Sequence, residues 1–407
     1  MNPYKIFLLL FAVALLISGC KKKDPTEPAN PPLLGDPEGL VITIVNNSGL
    51  PDSVIFFSCM GQTHGKDTNT VWVDGNNTII PVSMADNTVL HDGTKYTHYA
   101  RSLASNPVIK LKDNLYGARI RFSVNSPLWM KITSANPHAN YSEPSFYFTN
   151  DPNYEIIFDK VEFSYTDQKL WMNTTAVDFF GIPYTLTATV NGTTYHIGTS
   201  ASRKDVFSYF KNVAPVAFHE LIQGDYRIVA PALVPPQDFN QHYFDSYIDS
   251  VWNKYKGNDS LVLKGEIPAN WRAAGVVNSG NQLVFRVKSP SADFNNKTVT
   301  INKPPTMDVF GCKGTLNPGG PLPDQKIIPL VAAALNRTVL YNYDANNACD
   351  TAKFYKDPTT NWFSKIMHKV SVNNKCYGFA NDDVCDQSSL FPPAKITELT
   401  ITIMKFQ

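Results

Sequence analysis

The segment 158–198, FDKVEFSYTDQKLWMNTTAVDFFGIPYTLTATVNGTTYHIG, decides how this chain is read. Successive side chains of a strand point to opposite faces, so Glu162, Ser164 and Thr166 share one face of an amphipathic strand that begins near Phe158. Asp167-Gln168 reads as a turn, and residues 170–180 run on from it. Val190-Asn191-Gly192-Thr193 is a hairpin signal, because Asn-Gly tolerates the positive φ that a two-residue turn requires. Toward the N-terminus, short β-branched or aromatic runs at 40–47, 53–60, 69–73, 77–82, 107–111, 117–124 and 128–132 are separated by Gly, Asn, Asp and Pro. Such a series predicts the strands of a β-sandwich or barrel.

The period changes near residue 201. Val206, Phe207 and Phe210 have helical spacing, and Tyr247, Ile248, Val251, Trp252 and Tyr255 fall on one helical face. An Ala-rich apolar run at 327–340 predicts a buried helix, 362–370 predicts another, and strands at 260–265 and 282–288 lie between them. Residues 396–404 alternate again, as a strand that closes a sheet begun at the N-terminus. The fold expected is mainly β. A sandwich or barrel domain takes residues 38–200 together with C-terminal strands in 371–407. A mixed α/β domain, 201–370, is inserted, and a wide cleft between the two forms the ligand site.

The chain has 407 residues, with 17% charged, 12% aromatic and a formal net charge of +1. Charged residues fall below the roughly 25% usual for soluble domains. The near-neutral balance and the lack of a basic stripe exclude nucleic acid as an expected partner. Residues 1–19 read as a signal peptide: Lys5, an apolar run from Ile6 to Ile17, then Ser18-Gly19 before Cys20. The ending resembles a bacterial lipobox. Cys20 is therefore the expected lipidation site, with 20–37 as a Pro-rich tether and a lipid-anchored cell-envelope location, periplasmic or surface-facing. A tethered monomer is expected. Among Cys59, Cys312, Cys349, Cys376 and Cys385, the disulfide candidates are Cys376 with Cys385, close in sequence, and Cys312 with Cys349. Cys59 lies in an apolar strand and is expected to be buried and inert. No metal-ligand spacing occurs, and no cofactor is expected.

Two acids stand out. Glu162 lies on the polar face of its strand, and Asp178 is an acid inside an apolar stretch, where burial is costly unless it is paired. A pair of carboxylates on neighbouring strands has the composition needed for the acid and base work of glycoside hydrolysis. A flat hairpin with a two-residue turn would set Glu162 opposite Asn173. Asp178 would then lie roughly 16 Å further along at about 3.3 Å per residue, on the wrong face. An inverting pair is separated by about 6.5–9.5 Å. The chain is therefore expected to bulge or curl between Asn173 and Asp178.

These residues resemble glycoside hydrolase family 64, bacterial β-1,3-glucanases with a thaumatin-like β domain. The resemblance is carried by Asp151-Pro152-Asn153, Glu162-Phe163-Ser164, Asn173-Thr174-Thr175-Ala176-Val177-Asp178-Phe179 and Pro183. It continues through Tyr247 to Trp252, Asp308 to Cys312, Ala333 to Arg337 and Tyr377 to Val384, so it covers roughly residues 40–407. It implies an enzyme that cleaves β-1,3-glucan to short oligosaccharides with inversion, Glu162 as general acid and Asp178 as general base. Trp171, Ser164, Thr166 and Thr175 would contact sugars, and so would Asp382 and Asp383. Ala380-Asn381 departs from the family's Pro-Tyr before that Asp pair. A non-catalytic glucan-binding surface lipoprotein is the alternative. A thaumatin-like structural or defence-type protein would lack both the α/β insertion and the Glu/Asp pair.

Overall fold

The computed structural model describes residues 39–63, 68–391 and 394–407. The leader, Cys20 and the tether lie outside the described residues. All but one of the expected N-terminal runs form strands, and the fold is mainly β. One sheet runs in the order Thr193–Gly198, Tyr184–Val190, Glu398–Ile403, Leu40–Asn46, Val108–Leu111. The C-terminal strand thus sits in the middle of it, parallel to Leu40–Asn46 and antiparallel to Tyr184–Val190. Asn191 and Gly192 both have positive φ in the hairpin turn between Val190 and Thr193.

A second, eight-stranded sheet runs Ala394–Lys395, Lys169–Thr174, Phe158–Thr166, Leu115–Val124, Ile55–Gln62, Thr70–Val73, Ile79–Pro81, with Arg101–Ser102 paired alongside Ile55–Gln62. The inner faces of the two sheets share one apolar core. Leu40, Ile42, Leu186 and Ile401 from the first meet Phe57, Ile120, Phe122, Val161, Phe163 and Met172 from the second. Cys59 is buried within this core, as its apolar run implies. The same alternation turns Lys160, Glu162 and Ser164 outward, away from the core.

Residues after Gly198 build a second core. It gathers the helices α1 (Arg203–Val213), α2 (Asp245–Lys254), α3 (Thr306–Gly311), α4 (Leu322–Asn336) and α5 (Trp362–Val370). A four-stranded antiparallel sheet completes it, in the order Leu261–Gly265, Trp271–Val277, Gln282–Lys288, Thr298–Asn302. Ser202 caps α1 by accepting the Asp205 N–H, and Asn361 caps α5 through the Ser364 N–H. The α4 helix starts earlier than its apolar run, because Pro323 in the first turn needs no N–H partner. Among the described residues no helix is long and apolar enough to cross a membrane. Phe158, Phe179 and Phe180 belong to this second core, so the strand carrying Glu162 begins at the seam between the two.

Two sequence expectations are corrected. Residues 128–132 are not a strand; Ile132 makes only an isolated bridge with Tyr141. The main-chain groups of Trp129 are taken by the Asn153 side chain, and the Met130 carbonyl by Thr97, so no sheet ladder is left to form. The disulfide joins Cys349 to Cys385, with Cα atoms 5.2 Å apart, while Cys312 and Cys376 are free and buried. Cys385 has positive φ, and its sulfur faces the loop at Ala348 rather than Cys376. Cys312 ends α3 beneath α4, where its sulfur meets the Asn336 amide at 3.7 Å.

Candidate active site

The hairpin forms with the simplest register: Thr166 pairs with Lys169 across Asp167-Gln168, and Glu162 pairs with Asn173. On this face the strand Phe158–Thr166 presents Lys160, Glu162, Ser164 and Thr166, and the returning strand presents Trp171 and Asn173. On the other side of Glu162, Leu115–Val124 places Arg119 directly opposite it.

The return strand ends at Thr174. Thr175 then pairs in parallel with Tyr377, and the Tyr377 carbonyl accepts the Ala176 N–H at 2.9 Å. The Thr175 hydroxyl accepts the Val177 N–H at 3.3 Å, a side-chain turn that bends the chain. Phe179–Phe180 leaves the eight-stranded sheet and pairs with Arg227–Val229. Beyond it, the N–H groups of Gly181 and Ile182 donate to the buried Asp159 carboxylate at 2.8 and 3.0 Å. A Cβ on Gly181 would lie 2.1 Å from the Phe158 carbonyl oxygen, so only glycine allows this approach. Burial, opposed by these backbone donors, pushes the Asp159 carboxyl up to about 7. The bend thus lies between Asn173 and Asp178, and both of its ends are tied down.

Its consequence is a shared cation. Lys160 Nζ bonds Asp178 Oδ2 and lies 3.7 Å from Glu162 Oε1. Both carboxylates therefore reach one nitrogen, well inside the roughly 16 Å of a flat hairpin. Glu162 and Asp178 are 17% and 20% exposed, sheltered but open to a ligand. Burial alone would push the Lys160 ammonium down; Asp178 and Glu162 outweigh it and hold it up.

The charges continue as an alternating chain. Arg119 Nε meets Glu162 Oε1 at 3.0 Å, and Arg119 Nη1 meets Glu143 Oε1 at 2.7 Å. Arg121 Nη2 meets Glu143 Oε2 at 2.6 Å, and the Tyr141 hydroxyl donates to Glu143 at 2.7 Å. Partial burial works to raise the Glu143 carboxyl, whose side chain is 48% exposed, but Arg121 and Arg119 hold it down at about 2. The set alternates from Asp178 through Lys160, Glu162, Arg119 and Glu143 to Arg121. Its opposite charges balance, which is the condition for keeping so many ions partly out of water.

Among the other sequence candidates, Ser164 accepts the Gly117 N–H at 3.0 Å, beside a register shift between Phe163 and Tyr165, and its own O–H meets no acceptor among the described residues. Trp171 lies opposite Ser164 and is partly exposed. Thr166 closes the hairpin, and Thr175 supports the bend. Asp383 is exposed beside this region. Burial, and after it the charges of Asp383, Asp382 and Glu162, push the Tyr377 phenol up.

Asp382 requires a correction. It is 0% exposed, and its carboxylate receives Arg337 at 2.8 Å, His368 Nε2 at 2.9 Å and the Gly378 N–H at 2.9 Å. It has no face to offer a sugar and instead ties α4 and α5 to the segment around Gly378.

Sequence reasoning missed Lys160, Arg119 and Glu143, and the pairing of Tyr377 with Thr175. The first sits on the same strand face as Glu162, a signal available from the two-residue period. The others come from distant segments, with Arg119 separated from Glu162 by 43 positions. A concavity of about 530 Å³ on the outer face of the four-stranded sheet, lined in part by Arg272, Arg286 and Lys288, holds no carboxylate and no aromatic ring. It offers no carboxylate pair, so it does not compete as a site for two-carboxylate hydrolysis.

The assembly is a two-carboxylate site on the polar face of an antiparallel sheet, reached by a bend that brings the second acid back to the first. Residues 38–403 match the glycoside hydrolase family 64 profile, described as beta-1,3-glucanase, and the chain belongs to that family. It is 23% identical over 385 residues to a glucan endo-1,3-beta-glucosidase from Cellulosimicrobium cellulans, covering 87% of this chain. It spans 63% of that relative's length. The fold is similar to a crystal structure of a beta-1,3-glucanase domain from Clostridium beijerinckii, with TM-score 0.80 and 30% identity over 92% of this chain and 100% of that one. It is also similar to a laminaripentaose-producing beta-1,3-glucanase in complex with laminaritetraose, with TM-score 0.74 and 27% identity over 91% of this chain and 100% of that one.

Proposed function

We propose that this chain hydrolyses β-1,3-glucan to short oligosaccharides with inversion of configuration. The observation that carries the reading is the convergence of Glu162 and Asp178 on Lys160 by two different backbone routes. Family membership and the named activities of the relatives support it. Glu162 protonates the departing glycosidic oxygen. Asp178 takes a proton from a water that attacks the anomeric carbon from the opposite side. Lys160 fixes a positive charge between the acids, and Arg119 orients Glu162.

Trp171 supplies an apolar ring face for a sugar, and the hydroxyls of Ser164, Thr166 and Thr175 supply its polar rim. Asp383 is the exposed acid available at the adjoining turn. The two-sheet core corresponds to a thaumatin-like domain, and residues 201–370 to an insertion whose junction with it forms a cleft for the glucan. Cys20 anchors the protein to the cell envelope by a lipid, with 20–37 as the tether.

Incubating the purified protein with laminarin tests the activity. New reducing ends are expected. Laminarin binding without release of reducing ends would favour a glucan-capturing surface protein instead.

A further inference from the structure

The segment between Tyr141 and Asn153 crosses close to both acids. Glu143 holds Arg119, which holds Glu162. Three residues on, Phe146 packs against Phe179 with centroids 4.8 Å apart, immediately after Asp178. The next two side chains, Tyr147 and Phe148, point away from any core and are 37% and 53% exposed. Their rings meet edge to face with centroids 5.0 Å apart. Ser145 Oγ accepts both of their backbone N–H groups, at 3.1 and 3.2 Å, and the Phe148 carbonyl accepts the Asp151 N–H.

Among the described residues, three Phe, Tyr or Trp side chains are exposed: these two and Tyr341. Tyr341 already lies against Lys254, 4.6 Å from its ring centre. Leaving large apolar rings partly in water forgoes the gain of burying them. Two adjacent rings left uncovered beside a site mark a ligand surface more readily than scattered apolar residues do.

We propose that Tyr147 and Phe148 form an aromatic platform on which a glucose unit of the glucan chain stacks, at a subsite beyond the units that flank the bond cleaved between Glu162 and Asp178. The inference rests on the glucan reading of the site. A β-linked glucose ring presents a face of axial C–H groups, which is apolar and matches an aromatic face. The occupant is a longer stretch of the same polymer, because the platform's segment is anchored to Arg119, the partner of Glu162, and to Phe179, the residue after Asp178. Binding energy gathered away from the reacting bond is available to orient that bond.

The test uses protein silenced by Glu162→Gln, so that ligands stay intact. Affinities for laminaritriose and laminarihexaose are measured by calorimetry, with and without Tyr147→Ala and Phe148→Ala together. The expected result is about tenfold weaker hexaose binding on loss of the rings, with triose binding kept. Phe148→Trp in place of the alanine pair is expected to keep hexaose affinity. Unchanged hexaose affinity in the double variant overturns the platform while leaving the hydrolase reading intact, as does an equal loss for both sugars. If the silenced parent binds neither sugar, the glucan reading itself falls, and the platform with it.

Discussion

Glu162→Gln is expected to lower kcat on laminarin by about 10²–10⁴-fold, the range removed with a positioned acid or base. Asp178→Asn is expected to do the same, and the two losses can be told apart by the leaving group. Fluoride needs little protonation, so a β-laminaribiosyl fluoride should recover much of the rate in Glu162→Gln. It should recover none in Asp178→Asn, whose missing function is activation of water. Both substitutions keep the side-chain shape, and Lys160 and Arg119 can still donate to the amide oxygens. The losses should therefore appear in kcat and not in the unfolding midpoint. Equal rescue of both variants would contradict the division of roles.

Asp382→Ala is expected to cost about 3–5 kcal/mol of stability, because it leaves a buried guanidinium without its counter-charge. Arg337 is 2% exposed and His368 is almost as deeply set, with Nδ1 on the Asn374 carbonyl. Urea unfolding should show the midpoint fall sharply. Laminarin affinity, measured where the variant remains folded, should be unaffected; a selective loss of affinity at unchanged stability would restore Asp382 as a sugar ligand.

The pH dependence follows from the same pair. Burial works to raise the Asp382 carboxyl, but His368 and Arg337 hold it below the usual range. Its contribution is therefore present above about pH 3.9 and is lost as pH falls through its folded value. Burial works to lower His368, but Asp382 holds it above its ordinary value. That contribution is full below about pH 6.5 and is lost as pH rises through the folded value. The wild-type advantage over Asp382→Ala should therefore be greatest between about pH 4 and 6.5 and narrow on either side.

The strands were legible because their burial alternates with a period of two, the turn at Asn191-Gly192 because both residues accept positive φ, and that at Asp167-Gln168 because two polar residues interrupt the alternation. The need for a bend before Asp178 was legible from counting alone. Its construction was not. It depends on Tyr377, 202 positions from its partner Thr175, and on Asp159 clamping Gly181, neither of which a local period reports. The partners of Glu162 were hidden for the same reason: a strand's pattern says which side chains face outward but not which strand lies beside it. Burial explains the remaining misreadings. Asp382 carries the same charge in sequence as exposed Asp383, and only the packing of α4 and α5 around it separates a structural pin from a candidate ligand. Cysteine spacing misled likewise, since the turn at Cys385 aims its sulfur away from its nearest neighbour in sequence.

The anomeric configuration of the first sugar released from a β-1,3-glucan, followed by proton NMR before mutarotation equalises the forms, distinguishes direct displacement by water from a covalent route. Glu162 and Asp178 acting as acid and base with a water between them yield the α-anomer first. Initial release of the β-anomer would mean a covalent intermediate, and would contradict the roles given to this pair.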